Sequence, residues 1–141
     1  MKYTVLLGRI FYSLIFILNG LSQFTKESIQ YALTYDVPAS AFLVPTSGLI
    51  AIVGGVCILI GYKARFGAWL LVLFLIPVSI LMHRFWTAPD APEQQLQLTM
   101  FLKNLSMLGG ALLIVYFGAG PISVDDYLNQ KRLNKTKAEV K

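Results

Sequence analysis

Four stretches of this chain are apolar for about twenty residues each: roughly Tyr3 to Phe24, Phe42 to Gly61, Phe66 to Trp86 and Leu98 to Gly118. A helix needs about 20 residues to cross a hydrocarbon core. In lipid every backbone N–H and C=O must be satisfied within the protein, so unbroken apolar runs of this length are helices. The alternation of a membrane barrel is missing. The expected fold is therefore an all-α integral membrane protein, a four-transmembrane-helix bundle. One domain spans residues 1–122, and a basic tail occupies 123–141. The first stretch could imitate a signal peptide, but Arg9 interrupts it and it exceeds the usual apolar core of about 7–15 residues. It reads as a retained helix.

Composition excludes the alternatives. The 141 residues are 56% hydrophobic and 13% charged, whereas an ordinary soluble domain is about a quarter charged. A soluble chain this short buries only about two-thirds of the surface it exposes unfolded, so it could not hide this much apolar area. A soluble globular enzyme, a disordered chain and a disulfide-stapled module are all excluded. The single cysteine, Cys57, permits no intrachain disulfide, and no zinc-finger spacing is present.

The net charge of +5 reads as topology. Lys2, the turn Gly61-Tyr62-Lys63-Ala64-Arg65 and the tail residues Lys131, Arg132, Lys135, Lys137 and Lys141 fall on one side. The other side has Lys26 and Arg84, with Lys103 just inside the fourth span. The positive-inside rule places both termini in the cytoplasm and turns the connections at about Thr25–Ala41 and Thr87–Gln97 outward. The tail can also touch anionic head groups. No nucleic-acid site is indicated.

Polar residues inside the spans are costly and so mark interior faces. Arg9, Ser13, Gly20 and Gln23 share a stripe on the first helix, with Tyr12 and Asn19 beside it. Ser79, His83 and Trp86 share one on the third, and Thr99, Lys103, Ser106 and Gly110 one on the fourth. On the second, Ser47, Ala51, Gly54, Ile58 and Gly61 form a small-residue face suited to close packing. The interior is expected to be polar toward the outer end. Asn19, Gln23, His83, Arg84, Trp86, Lys103 and Asn104 all fall in that outer layer, where they could line one shared binding pocket. Simpler readings stand beside this one. Arg9 and Lys103 can snorkel to an interface, His83 can belong to an aromatic belt with Phe85 and Trp86, and Cys57 reads as a core side chain. Gly109-Gly110 reads first as helix packing. Pro77 deprives the Leu73 carbonyl of a partner and favours a kink.

Several short motifs resemble the DoxX family of small bacterial membrane proteins across essentially the whole chain. They are Leu7-Gly8-Arg9 with Asn19-Gly20-Leu21-Ser22, Gly54-Gly55 with Gly61-Tyr62-Lys63-Ala64-Arg65, and His83-Arg84-Phe85-Trp86. Phe101-Leu102-Lys103-Asn104-Leu105 with Gly109-Gly110, and the close Gly118-Ala119-Gly120-Pro121-Ile122-Ser123-Val124-Asp125, complete the set. The resemblance implies a bacterial inner-membrane protein linked to redox or oxidative-stress systems, as a quinone-associated or membrane-anchoring subunit. The chain departs from that pattern at Gln23, where many relatives have Lys, and at Ala51, where many have Glu.

Three functions follow as expectations. One is a quinone-binding subunit, with Trp86 stacking the ring and His83, Lys103 or Asn104 holding its carbonyls. The chain has no CxxC, no paired histidines and no flavin motif, so it carries no cofactor of its own, binds no metal and is no stand-alone enzyme. Another is a non-catalytic scaffold for a redox-enzyme partner or a homo-oligomer. The last is a protein that binds or transports a lipid or small molecule.

Overall fold

The computed structural model describes residues 2–139; Met1 and Lys141, counted above with the first span and the basic tail, lie outside the described residues. The helices are α1 (Lys2–Ser22), α2 (Lys26–Leu33), α3 (Ser40–Ile60), α4 (Ala64–Met82), α5 (Ala91–Phe117) and α6 (Val124–Glu139), with one 3-10 turn at Phe85–Thr87. No strand occurs among the described residues. Four of these helices are long and apolar enough to cross a membrane, namely α1, α3, α4 with the turn that follows it, and α5. Large apolar side chains such as Phe11, Leu18, Trp69, Leu73 and Leu113 remain exposed around the bundle, as contact with lipid requires.

Helix α3 is the hub. A Cβ added at Gly48 would stand 2.7 Å from the Gly20 carbonyl, and one at Gly20 would stand 2.8 Å from the Gly48 carbonyl. On its other side, Gly54 and Gly67 make the same reciprocal approach, with Cβ positions 2.9 and 2.8 Å from each other's carbonyls. Lipid supplies no hydrophobic drive between helices, so backbones brought this close gain their attraction from dispersion. The small face expected on this helix is buried at Ala51, Gly54, Ile58 and Gly61. Around it pack Phe16, Leu71, Val72, Phe74, Leu75 and Ala111. Tyr12 closes the seam between α1 and α5, where its hydroxyl donates to the Met107 carbonyl at 2.6 Å and its ring lies over Gly110.

The start of α1, the α3–α4 turn and the start of α6 share one end of the bundle, here the terminal end, and the opposite one is the loop end. α3 stops in a Schellman arrangement: Gly61 adopts φ +68°, Tyr62 N–H donates to the Cys57 carbonyl at 3.0 Å, and Gly61 N–H donates to that of Ile58 at 3.1 Å. Any side chain at Gly61 would collide with the Arg9 guanidinium and with Ser123. That guanidinium is buried and does not snorkel. It donates to the carbonyls of Ala119 (3.0 Å) and Ile122 (2.6 Å), clamping the chain after α5 to α1. Asp125 caps α4, accepting from the N–H groups of Lys63 (2.9 Å) and Ala64 (3.1 Å).

Four expectations change. The Thr25–Ala41 connection contains helix α2, started by Thr25, whose hydroxyl accepts from Ser28 N–H. α5 begins at Ala91, well before the apolar run, because Asp90 caps Glu93 N–H at 2.8 Å and Pro92 suits the first turn. The inward face of α5 carries Gln97, Asn104 and Ala111, while Thr99, Lys103 and Ser106 are exposed. Thr99 satisfies its hydroxyl on the Gln95 carbonyl of its own helix, so its polarity carried no information about the interior. The interior is also polar at both ends, with Arg9 and Ser13 buried at one and Gln97 and Asn104 toward the other.

Substituting Gly54 or Gly48 with Leu is expected to cost at least about 1–3 kcal/mol by overpacking, lowering the unfolding temperature in detergent. Gly109→Ala, where an added Cβ meets nothing within 4 Å, is expected to be neutral or slightly stabilising. Thermal unfolding followed by size-exclusion chromatography checks both.

Candidate functional site

Beyond the Gly54–Gly67 crossing, α3 and α4 run on toward the loop end with larger side chains between them, and a groove opens there. It has a volume of about 590 Å³ and is walled by Leu43, Val44, Ile50, Leu73, Phe74, Val78 and Leu81, with Pro77 on the α4 side. α2 roofs it. Ala32 and Val37 are buried against Val44, with Ile29, Tyr35 and Met82 packed around them. Polar side chains also line it: Gln23, Glu27, Ser28, Tyr31 and His83, and on α3 Thr46 and Ser47, whose hydroxyls donate back to the Phe42 and Val44 carbonyls.

His83 ends α4 and is held from outside the groove. Its Nδ1 lies 2.9 Å from Gln97 Oε1. The Gln97 amide nitrogen donates to Glu93 Oε1 at 2.6 Å and to the Tyr35 hydroxyl at 2.8 Å. A carboxylate only accepts, so the amide nitrogen must face Glu93 and its oxygen must face the histidine. His83 Nδ1 therefore carries the hydrogen, and in the neutral ring Nε2 is left as an acceptor. Tyr35 continues the chain to the Tyr31 hydroxyl at 3.1 Å. Burial first, then the Tyr31 hydroxyl and the Glu93 charge, push the Tyr35 phenol up to about 12 against the donation from Gln97, so it stays protonated at neutral pH. Arg84 donates to the carbonyls of Tyr35 and of Leu81, tying the end of α4 to the end of α2.

This network forms a wall between two spaces. On one side is the apolar groove. On the other is a polar recess of about 570 Å³ lined by Thr34, Tyr35, Asp36, Arg84, Asp90, Glu93 and Gln97 among others. Among the described residues no group of three His, Cys, Asp or Glu could hold a metal ion.

Of the seven residues singled out by sequence, Gln23 and His83 line the groove and Arg84 lines the recess. Asn104 is buried at 4% exposure in the α5 face and lines neither space. Asn19 is exposed on α1. Trp86 is 51% exposed and packs edge-on against Phe85 and Phe101, and the exposed Lys103 ammonium rests on the Met100 sulfur. The expected face shared by Ser79, His83 and Trp86 is broken, because α4 ends at Met82. Sequence reasoning missed Gln97, Tyr35 and Glu93. Glu93 and Gln97 are one helical turn apart, which could have flagged them had α5 been started at Asp90.

The fold and groove define a multi-pass helical membrane protein with a largely apolar groove at one end. Its sequence settles the lineage. The SURF4 family model matches residues 2–132, and the chain belongs to the SURF4 family. It is 32% identical over 129 residues to the inner membrane protein YqjF of Escherichia coli, covering 90% of this chain and 93% of that protein. It is 36% identical over 78 residues to the ER-derived vesicles protein ERV29 of Saccharomyces cerevisiae, a match to 55% of this chain and only 25% of that relative's length. The inner membrane protein YphA of Escherichia coli is 26% identical over 124 residues. No solved structure matches. The resemblance to the DoxX family is thereby overturned, and the redox link and the quinone it implied lose their ground.

If Gln97 orients the ring, Gln97→Leu is expected to move the ¹⁵N resonances of the sole histidine, while the exposed neighbour substitution Leu96→Ala leaves them in place. Unchanged imidazole signals in Gln97→Leu would remove the wall from the site.

Proposed function

We propose that the protein is a non-catalytic inner-membrane protein of a bacterium, with both termini in the cytoplasm, and that its groove binds the apolar part of an amphipathic small molecule or lipid. The observation that carries this reading is the form of the groove, mainly apolar along α3 and α4, with the Thr46 and Ser47 hydroxyls turned back onto their own helix and His83 held by Gln97. Its volume lies within the roughly 300–1,000 Å³ of small-molecule sites, and such sites combine apolar walls with a few placed polar groups. His83 Nε2 would accept from a hydroxyl or amine of the head group, and Gln23 and Ser28 offer further hydrogen bonds. The full-length likeness to an Escherichia coli inner membrane protein supports the location, and the basic residues of the terminal end support the orientation.

Solvent extraction of the purified protein, followed by mass spectrometry, tests the binding reading. One amphipathic species is expected at near-stoichiometric amount. Its yield should fall severalfold in Val78→Trp, which fills the groove, and persist in Leu113→Trp on the lipid-facing side of α5. Equal recovery from both variants, or no enrichment over bulk lipid, would sink it. A quinone as the retained species would return an electron-carrying role to consideration, and a soluble enzyme recovered alone would point to a scaffold.

Orientation is tested separately. A fluorescent protein fused after residue 141 is expected to fluoresce, and alkaline phosphatase fused there is expected to be inactive. The opposite pair of results would invert the topology.

A further inference from the structure

At the terminal end, at the opposite end of the bundle from the groove, a cleft of about 990 Å³ opens between the α3–α4 turn, the Gly118–Pro121 segment and the first three turns of α6. Three cations line it: Lys63 and Arg65 from the turn and the start of α4, and Arg132 from α6. Two carboxylates also line it, and both are engaged by neutral donors. Asp125 accepts from the N–H groups of Lys63 and Ala64 at the start of α4, and Asp126 accepts from the Gln130 amide at 2.9 Å. Arg65 donates one of its N–H groups to the Tyr116 carbonyl at 3.2 Å. That bond fixes the guanidinium at the cleft's edge and leaves its other donors for a ligand. Phe66 and Phe117 give the same cleft an apolar wall on the side of the membrane helices.

We propose that this cleft binds the head group of an anionic phospholipid, with Arg65 and Arg132 on the phosphodiester and the acyl chains passing along Phe66 and Phe117. A basic cleft at the ends of membrane helices that also presents aromatic surface fits a molecule anionic at one end and apolar at the other. The arginine fork suits phosphate oxygens better than a lysine does. Helix α6, which has few apolar side chains of its own, meets the bundle here, so a lipid bridging Arg65 and Arg132 joins α6 to α4. This site is independent of the groove, and neither stands or falls with the other.

The test uses the full-length protein in mild detergent, with native mass spectrometry as the readout. Short-chain phosphatidylglycerol, short-chain phosphatidylcholine and inorganic phosphate serve as probes. One phosphatidylglycerol is expected to be retained, roughly tenfold more tightly than phosphatidylcholine. The preference is expected to vanish in Arg65→Gln/Arg132→Gln and to survive in Lys26→Gln/Lys103→Gln. Arg132→Gln alone, at an exposed position of α6, is expected to fold normally and lose part of the preference, which keeps the test decisive if the double variant unfolds. Equal retention of the two lipids, or a preference that survives loss of both arginines, would overturn the proposal. Displacement of phosphatidylglycerol by millimolar inorganic phosphate would also overturn it, in favour of a small-anion site.

Discussion

The close approach of backbones along α3 is the constraint on which the remaining architecture depends. Gly48 meets Gly20 on one side of the helix and Gly54 meets Gly67 on the other. Without a hydrophobic drive in lipid, the attraction between helices comes from packing and from satisfied polar groups. Two glycine crossings on one helix let α1 and α4 lie against α3 at once. They also set where the helices cannot touch. Beyond Gly54 and Gly67 no such glycine crossing joins α3 to α4, and the groove opens there, lined by Leu43, Ile50, Leu73 and Leu81.

The two ends of the bundle solve the same problem differently. In lipid, an unpaired carbonyl at a helix end is expensive. At the terminal end a single buried arginine serves the carbonyls of Ala119 and Ile122, and one aspartate caps the helix that follows the turn. At the loop end the polar groups form a chain, from His83 through Gln97 to Glu93, Tyr35 and Tyr31. Compact clamping ties the first end together and leaves an open cleft beside it, lined by Lys63, Arg65 and Arg132. The extended chain walls off an apolar groove from a polar recess at the second.

Motif reading failed at the level of family for a physical reason. Small residues at helix crossings, basic residues in short turns and aromatic belts are required of nearly any short membrane bundle. Gly54-Gly55 and Gly61-Tyr62-Lys63-Ala64-Arg65 therefore report membrane physics as much as descent, whereas agreement over residues 2–132 reports descent. The same limit affected α5. Lys103 and Thr99 looked like interior residues because of their polarity, yet one reaches a sulfur on its own helix and the other a carbonyl there.

What the sequence determined alone was the class of fold: four spans, the small face of α3 and the buried Arg9–Ser13–Gly20 stripe of α1. Length, hydropathy and helical period act within one segment, and one segment is enough to reveal them. Only the tertiary structure decided that α2 roofs a groove, that α5 turns Gln97 inward, and that Arg65 and Arg132 face one cleft. Each of those depends on how far one helix is rotated and shifted against another. That is set by contacts between residues distant in the chain, such as Gly54 with Gly67 or His83 with Gln97, which no local pattern records.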